Sequence, residues 1–363
     1  MNKKYWMAIP AVLWCALCLF VWFSPAKELS LSERRPLAQM PKLTAQNLLS
    51  GSFMEQFEDF STDQFPLRDT FRAGKSLVAY GVFRQKDNNG IYYTQGHLAK
   101  LEVFHSVSVN YALGRFQNIY EQYLQDTNCK IYNAVIPDKG YYLAEQNGYP
   151  AMDYAQLFSF ADERMPWANN VDLTDALTAE DYYRTDTHWR QECLVPVAQK
   201  LCDAMGVTAP IEQDFTSTLV SQKFYGVYYG QAALPVKSDE LLILESDTLK
   251  NCRVYNYETK TYQSVYDLEK LSGNDPYDVF LSGAQALLTI ENPNATTEKE
   301  LIIFRDSFAS SLAPLLAESY KTITLVDIRY INPALLGEYL HFDAQDVLFA
   351  YSATILNNSS SLK

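Results

Sequence analysis

The chain has 363 residues, 48% of them apolar and 14% aromatic, and carries a net charge of −13 at pH 7. That is enough apolar material for one large core or two small ones. The charge excludes a nucleic-acid partner, because no stripe of Lys and Arg is present to release counterions from a phosphate backbone.

Lys3 and Lys4 precede Tyr5 to Phe23, a run without a charge that approaches the ~20 residues needed to span a bilayer. The run is longer than a usual signal-peptide core, and Ser24-Pro25-Ala26 offers no clean small-x-small cleavage site. Residues 1–23 therefore read as a short tail and an uncleaved single-pass anchor, with residues 5–23 in the membrane. Lys27, Arg34 and Arg35 blunt the positive-inside argument, but the short tail and signal-like layout place the body outside the cytoplasm. Residues 24–44, polar and broken by Pro25, Pro36 and Pro41, read as a tether. In residues 45–90, Leu48, Leu49, Phe53, Phe57 and Phe60 recur at helical steps, and Phe71, Leu77, Val78 and Tyr80 continue the pattern past Phe65-Pro66. This N-terminal helical segment is expected to pack on the body.

The remainder, residues 91–363, reads as one α/β domain. Asn88-Asn89-Gly90 is a turn into a strand at Ile91-Tyr92-Tyr93, with a second turn at Gln95-Gly96 before Leu98. Val107 to Tyr123 has helical periodicity, and Lys130 to Ile136 is a strand running into a loop, Pro137-Asp138-Lys139-Gly140. A helical pattern covers about Arg190 to Met205 and closes at Gly206; Pro196 inside it must kink the helix or delay its start. Residues 207–300 read as short strands and loops.

Four apolar residues, Leu301-Ile302-Ile303-Phe304, then form a strand too short for a helix. A break at Arg305-Asp306-Ser307, a helical period from Ala309 to Tyr320 and a second apolar run, Ile323 to Val326, complete a βαβ unit, which requires a parallel pairing and a right-handed crossover. Asp346 to Tyr351 is a last buried strand. The expected fold class is α/β, with a mainly parallel sheet flanked by helices.

Cys15 and Cys18 lie in the N-terminal apolar run. Cys129, Cys193, Cys202 and Cys252 show no CxxC or metal-ligand spacing and read as buried small hydrophobes. Cys193 and Cys202, nine residues apart on opposite faces of one helix, are too distant for a disulfide. No metal and no cofactor is expected.

Of four histidines, His97, His105 and His341 lack an acidic and aromatic frame, whereas His188 has one. In an extended stretch Asp186 and His188 share a face, roughly 6.6 Å apart along the strand. A carboxylate so placed fixes the imidazole tautomer and stabilises the imidazolium. Alone, Asp-x-His is more often a plain surface turn. Ser307 stands where a strand meets a helix N-terminus, at the edge where open α/β sheets keep their chemistry, although serines there are often simple caps. The glycines of a G-x-S-x-G elbow are missing, which disfavours a generic lipase. Together Ser307, His188 and Asp186 supply every part of a hydrolase-like triad.

In this combination the chain resembles the DHHW family and its relatives, the alginate O-acetylation proteins, which share an SGNH-hydrolase-like, flavodoxin-like domain. The resemblance is carried by Phe57-Glu58-Asp59-Phe60 with Asp63 to Asp69, and by Ile91-Tyr92-Tyr93 before Leu98. Ile136-Pro137-Asp138-Lys139, Tyr183 to Trp189, Asp306-Ser307-Phe308 and Asp327 to Tyr330 continue it. It implies that Asp186, His188 and Ser307 are the catalytic triad, and that acetyl passes to or from a polysaccharide hydroxyl through an acetyl-serine. The backbone N–H groups of Ser307 and Phe308 would hold the oxyanion. A separate integral membrane protein that exports acetyl groups is the implied partner.

Lys139 and Arg329, at the ends of predicted strands, are candidates for holding a substrate carboxylate or phosphate, with ordinary ion pairs as the alternative. Trp189 is a candidate sugar platform, although an apolar lid over the His188 loop suits it better. Three features depart from the family pattern: Thr187 replaces the name-giving second His, Arg305 replaces the glycine of Gly-Asp-Ser, and Gln191-Glu192-Cys193 replaces a Gly-Ala pair. The last two motivate a second expectation, an inert glycan-binding or assembly module.

Overall fold

The computed structural model describes residues 3–30 and 32–363, with only the backbone described for residues 3–8, 13, 17, 18 and 22. Lys3–Phe23 form a helix. The expected anchor falls in part on side chains outside the described residues; among the described residues, no helix is long and apolar enough to cross a membrane.

Contacts divide the chain into two units, Met1–Asn89 with Tyr229–Pro235, and Gly90–Tyr228 with Val236–Lys363. The first holds helices at Ala45–Leu49, Ser52–Asp63 and Arg68–Gly81. Its member from later in the chain is tied in through the backbone: Arg72 donates to Gly230 O at 2.6 Å and Ser76 Oγ to Ala232 O at 2.7 Å. Gly230 is required there, since a Cβ would lie 1.7 Å from Ser32 O.

The second unit is built on an eight-stranded sheet. Its strands are β1 Lys130–Ile136, β2 Asn169–Asn170, β3 Arg253–Asn256, β4 Thr261–Gln263, β5 Leu287–Glu291, β6 Glu300–Arg305, β7 Thr322–Val326 and β8 Asp346–Ser352. The spatial order is β4-β3-β5-β7-β6-β8-β1-β2. β7, β6, β8, β1 and β2 run parallel, and β5, β3 and β4 extend the sheet in antiparallel fashion. The strand-turn-helix-strand unit read around Ser307 is thus present, with β6 and β7 adjacent and parallel.

Both sheet faces are covered, and the period of two along each strand decides which residue faces which layer. Leu301, Ile303, Leu348 and Ala350 join Val197, Leu201, Leu315 and Leu316 on one face. Ile302, Phe304, Val347 and Phe349 join Val109, Phe116 and Leu157 on the other. Strands buried on both sides need no polar alternation, which is why they read as unbroken apolar runs.

The helices differ from expectation where proline intervenes. Ala309–Leu312 is α-helical, but Ala313–Glu318 tightens to a 3₁₀ turn around Pro314, which cannot donate its backbone N–H. The helix expected from about Arg190 starts at Val195 with Pro196 in its first turn, where a missing N–H costs nothing, and Gly206 closes it at φ 65°. The loop expected after β1 instead begins a short helix at Lys139.

Candidate active site

β6 ends at Arg305, so Asp306 and Ser307 occupy its C-terminal edge. The Asp306 carboxylate is fully buried and ties this turn to the neighbouring strand. One oxygen accepts Phe308 N–H at 3.0 Å, and the other accepts Ser352 N–H and Oγ–H at 2.8 and 2.6 Å. That clamp fixes where Ser307 points.

Asp186 and His188 reach Ser307 from a separate loop. Tyr182 bridges Trp189, and Tyr183 N–H donates to His188 O at 3.1 Å, so residues 183–188 form a closed turn and not the extended stretch expected from Asp-x-His. The physical reason is local: Asp186 Oδ1 accepts both the His188 backbone N–H at 3.1 Å and Nδ1 at 2.6 Å, and folding the backbone back lets one oxygen do both. Asp186 Oδ2 accepts Val227 N–H at 2.8 Å. Asp239 pins the loop from the other side, taking Arg184 N–H at 2.7 Å and Thr185 N–H and Oγ–H at 2.9 and 2.5 Å.

The far nitrogen of the ring, His188 Nε2, lies 2.8 Å from Ser307 Oγ. Asp186 is fully buried, His188 is 7% exposed, and Ser307 is half-buried and accessible. With Nδ1–H given to Asp186, Nε2 is left as the base toward the hydroxyl, the arrangement that makes a serine nucleophilic. The imidazole is also clamped from its face: the Tyr277 ring stacks on it at 3.9 Å between centroids and 8° between planes, and Phe308 lies 4.9 Å away. Tyr277 OH lies 2.9 Å from Ser311 Oγ, which in turn accepts Trp189 Nε1–H at 3.0 Å.

Trp189, Lys139 and Arg329 find partners within the protein. Trp189 is fully buried, and its indole N–H also donates to Phe308 O at 3.0 Å, so it locks the His188 loop to the Ser307 turn and presents no face to a sugar. Lys139 is 1% exposed, donates to Tyr183 O at 2.7 Å, and lies over the Tyr228 ring. Burial pulls its pKa down to about 7 against the opposing pull of Asp239, Asp186 and Asp138. Arg329 forks onto Asp327 through Nε and a terminal nitrogen at 2.9 and 2.6 Å. Burial lowers its pKa, but Asp327 outweighs this and holds it above its ordinary value. Arg305, in the family's glycine position, is buried and donates to Ser310 Oγ at 2.6 Å; burial depresses its pKa. Of the two amides expected at the oxyanion, that of Phe308 is engaged by Asp306.

Several supporting residues escaped the sequence. Gly226 falls in a stretch that read only as short strands and loops, yet a Cβ there would lie 2.1 Å from Asp186 Cβ, so its bareness lets the 226–228 backbone reach the carboxylate. Tyr277, Ser311 and Asp239 left no sequence signal, because none belongs to a local motif. Among the described residues, no three His, Cys, Asp or Glu side chains converge as metal ligands, and Cys129, Cys193, Cys202 and Cys252 are free thiols.

Solved structures show the same fold. A DHHW family protein from Eubacterium siraeum superposes with a TM-score of 0.62 at 22% identity, over 76% of this chain and 95% of that one. Bacillus cereus PatB1 superposes with a TM-score of 0.57 at 19% identity, covering 73% of this chain and 96% of its own. The same protein with a sulfonyl adduct gives 0.59 at 19% identity, over 73% and 95%. No curated protein sequence matches the chain. The model of the DHHW protein family matches residues 172–326. Asp186, His188 and Ser307 all fall within that matching stretch.

Proposed function

We propose that this protein is a membrane-anchored, extracytoplasmic O-acetyltransferase or acetylesterase acting on a cell-envelope or exopolysaccharide glycan. The observation that carries the reading is the continuous hydrogen-bonded line from Asp186 Oδ1 through the His188 ring to Ser307 Oγ, at 2.6 and 2.8 Å. In this mechanism His188 Nε2 takes the Ser307 proton as Oγ attacks the carbonyl carbon of an acetyl ester. The Ser307 N–H faces the developing oxyanion, and Asp186 stabilises the imidazolium. The imidazolium returns its proton to the departing alcohol, leaving acetyl-serine. A sugar hydroxyl, deprotonated by the same nitrogen, then attacks the acetyl carbonyl, the ester bond to Ser307 Oγ breaks, and the imidazolium returns the proton to that oxygen; in an esterase, water takes the place of the sugar.

Acetyl as the transferred group follows from the resemblance to the alginate O-acetylation proteins. Anchoring through residues 5–23, with the body outside the cytoplasm, follows from the charge-free run behind Lys3 and Lys4. An integral membrane partner that exports acetyl groups would supply the donor. A second reading, an inert glycan-binding or assembly module, is favoured by one observation: Asp306 occupies the Phe308 N–H, removing one of the expected oxyanion donors.

PatB1 has been solved with a sulfonyl adduct, so a sulfonyl fluoride is a suitable probe alongside an aryl acetate. The full chain should turn over the acetate and take one sulfonyl group at Ser307, and Ser307→Ala should lose both. Equal turnover and equal labelling of the two proteins would remove Ser307 from the chemistry, and a wild-type chain that neither turns over the acetate nor takes the label would be the inert module.

A further inference from the structure

A cavity of about 290 Å³ lies beside the loop that carries Asp186, with His97 in its wall. His97 is 1% exposed, and neither ring nitrogen has a hydrogen-bond partner among the described residues. The nearest carboxylate oxygen, on Glu180, is 3.6 Å from Nε2, beyond a hydrogen bond. Buried polar groups are nearly always paired, so an imidazole lacking partners on both nitrogens points to something the cavity takes up. Burial and the nearby Lys139 and Arg184 charges hold its pKa below the ordinary value, against the pull of Glu180. A neutral ring offers one N–H and one lone pair, which suits a group that both accepts and donates.

The rest of the lining has the same mixed character. Asp239 also borders the cavity, but both its oxygens are taken up by Arg184 N–H and by Thr185. Arg190 is likewise engaged, with Glu180 O at 2.7 Å and Glu192 at 3.5 Å. The side chains of Arg184, Gln222, Lys237 and Glu240 also line the cavity and make no hydrogen bond or ion pair among the described residues. Two cations, an amide, two carboxylates counting Glu180, and a neutral imidazole have no net preference for an anion. They do match an array of hydroxyls, each of which can donate and accept. The volume lies at the small end for ligand sites, enough for one sugar ring.

We propose that this cavity is a saccharide-binding site for a single hexose-sized unit, with His97 bonded to its hydroxyls and Arg184, Gln222, Lys237 and Glu240 around its rim. The bound ring would rest against Arg184, two residues from Asp186. The Arg184 backbone is held by Asp239 on its N–H and by Leu98 N–H on its carbonyl at 2.8 Å. The site would therefore give a glycan a second foothold on a rigid part of the loop. It goes beyond the reaction proposed at Ser307 and does not depend on it.

The test uses the full chain with isotope-labelled histidine, whose four imidazoles are assigned by single His→Gln variants. Glucose, N-acetylglucosamine, glucuronate and inorganic phosphate are titrated in turn. The expected result is a saturable shift of the His97 signals with at least one sugar, at millimolar concentration, weakened at least about fivefold in Lys237→Ala and in Gln222→Ala. Three results would overturn the proposal: phosphate moving His97 while the sugars do not, no probe moving it (a site filled by water alone), or sugars moving only His188. The last would leave the chemistry at Ser307 untouched, just as an inactive Ser307 would leave a sugar-dependent His97 shift standing.

Discussion

At the scale of single residues, the imidazole of His188 is held on three sides. Its two nitrogens are fixed by Asp186 and Ser307, and its face by Tyr277. Stacking on a rigid aromatic restricts the ring to the plane from which its two nitrogens reach Asp186 and Ser307, and keeps water from one face. Tyr277 is therefore a positioning residue. Tyr277→Leu should lower kcat on an aryl acetate about tenfold, because a misplaced base loses much of its advantage, with KM little changed. Tyr277→Phe keeps the ring and loses only the contact with Ser311, so it should retain most of the activity. Equal loss in both variants would assign the effect to the hydroxyl network instead.

The pairing of Asp186 with His188, and the position of Ser307 at a strand end, were legible in the sequence because both are matters of spacing along the chain. The shape of the His188 loop was not, since the bond from Asp186 to the His188 backbone bends the stretch into a turn. The surroundings of Lys139, Arg329 and Trp189 depended on partners 44 residues away for Lys139, two for Arg329 and 119 for Trp189.

At the scale of elements, the site is where the turn after β6, the 183–189 loop and the 224–228 segment meet. The third of these is the most demanding. A Cβ on Gly226 would stand 2.1 Å from Asp186 Cβ and 2.3 Å from its Cα, and backbone cannot swing aside as a side chain can. Gly226→Ala should cost about 1–3 kcal/mol in denaturant unfolding and reduce aryl acetate turnover more than about tenfold by displacing Asp186. Gly114→Ala is the control: it sits in a helix with open space around its Cα and should gain about 0.5–1 kcal/mol. Wild-type turnover in Gly226→Ala would show that Asp186 is not needed where it stands. Proline accounts for the boundaries of the helices that follow Ser307 and Arg190, since periodicity marks which residues share a face but not which backbone hydrogen bonds are lost at Pro314 or Pro196.

At the scale of the whole molecule, Lys139 couples folding to pH. Its pKa falls from 10.5 in the unfolded chain to about 7 in the folded one, through burial. Between these values the unfolded state holds a proton that the native state does not, so stability rises with pH across pH 7–10.5, by up to about 1.4 kcal/mol per unit. Lys139→Met lacks this term. Urea unfolding of the two proteins should give a stability difference that moves steadily in favour of wild type as pH rises through that window. Parallel pH curves would show that the ammonium is not desolvated in the fold.

What the sequence by itself determined is whatever depends on neighbours along the chain. That covers the buried parallel strands, read from apolar runs; the helix stop at Gly206; the Asp-x-His pair; and a serine at the end of β6. Only the tertiary structure decided which distant groups complete these pieces. β8 lends Ser352 to the Asp306 clamp, residues 226 and 227 lend a bare backbone to Asp186, and Tyr277 lends a ring to His188. Such contacts are set by three-dimensional packing of segments with no common period or motif, so a single chain of letters holds no local trace of them.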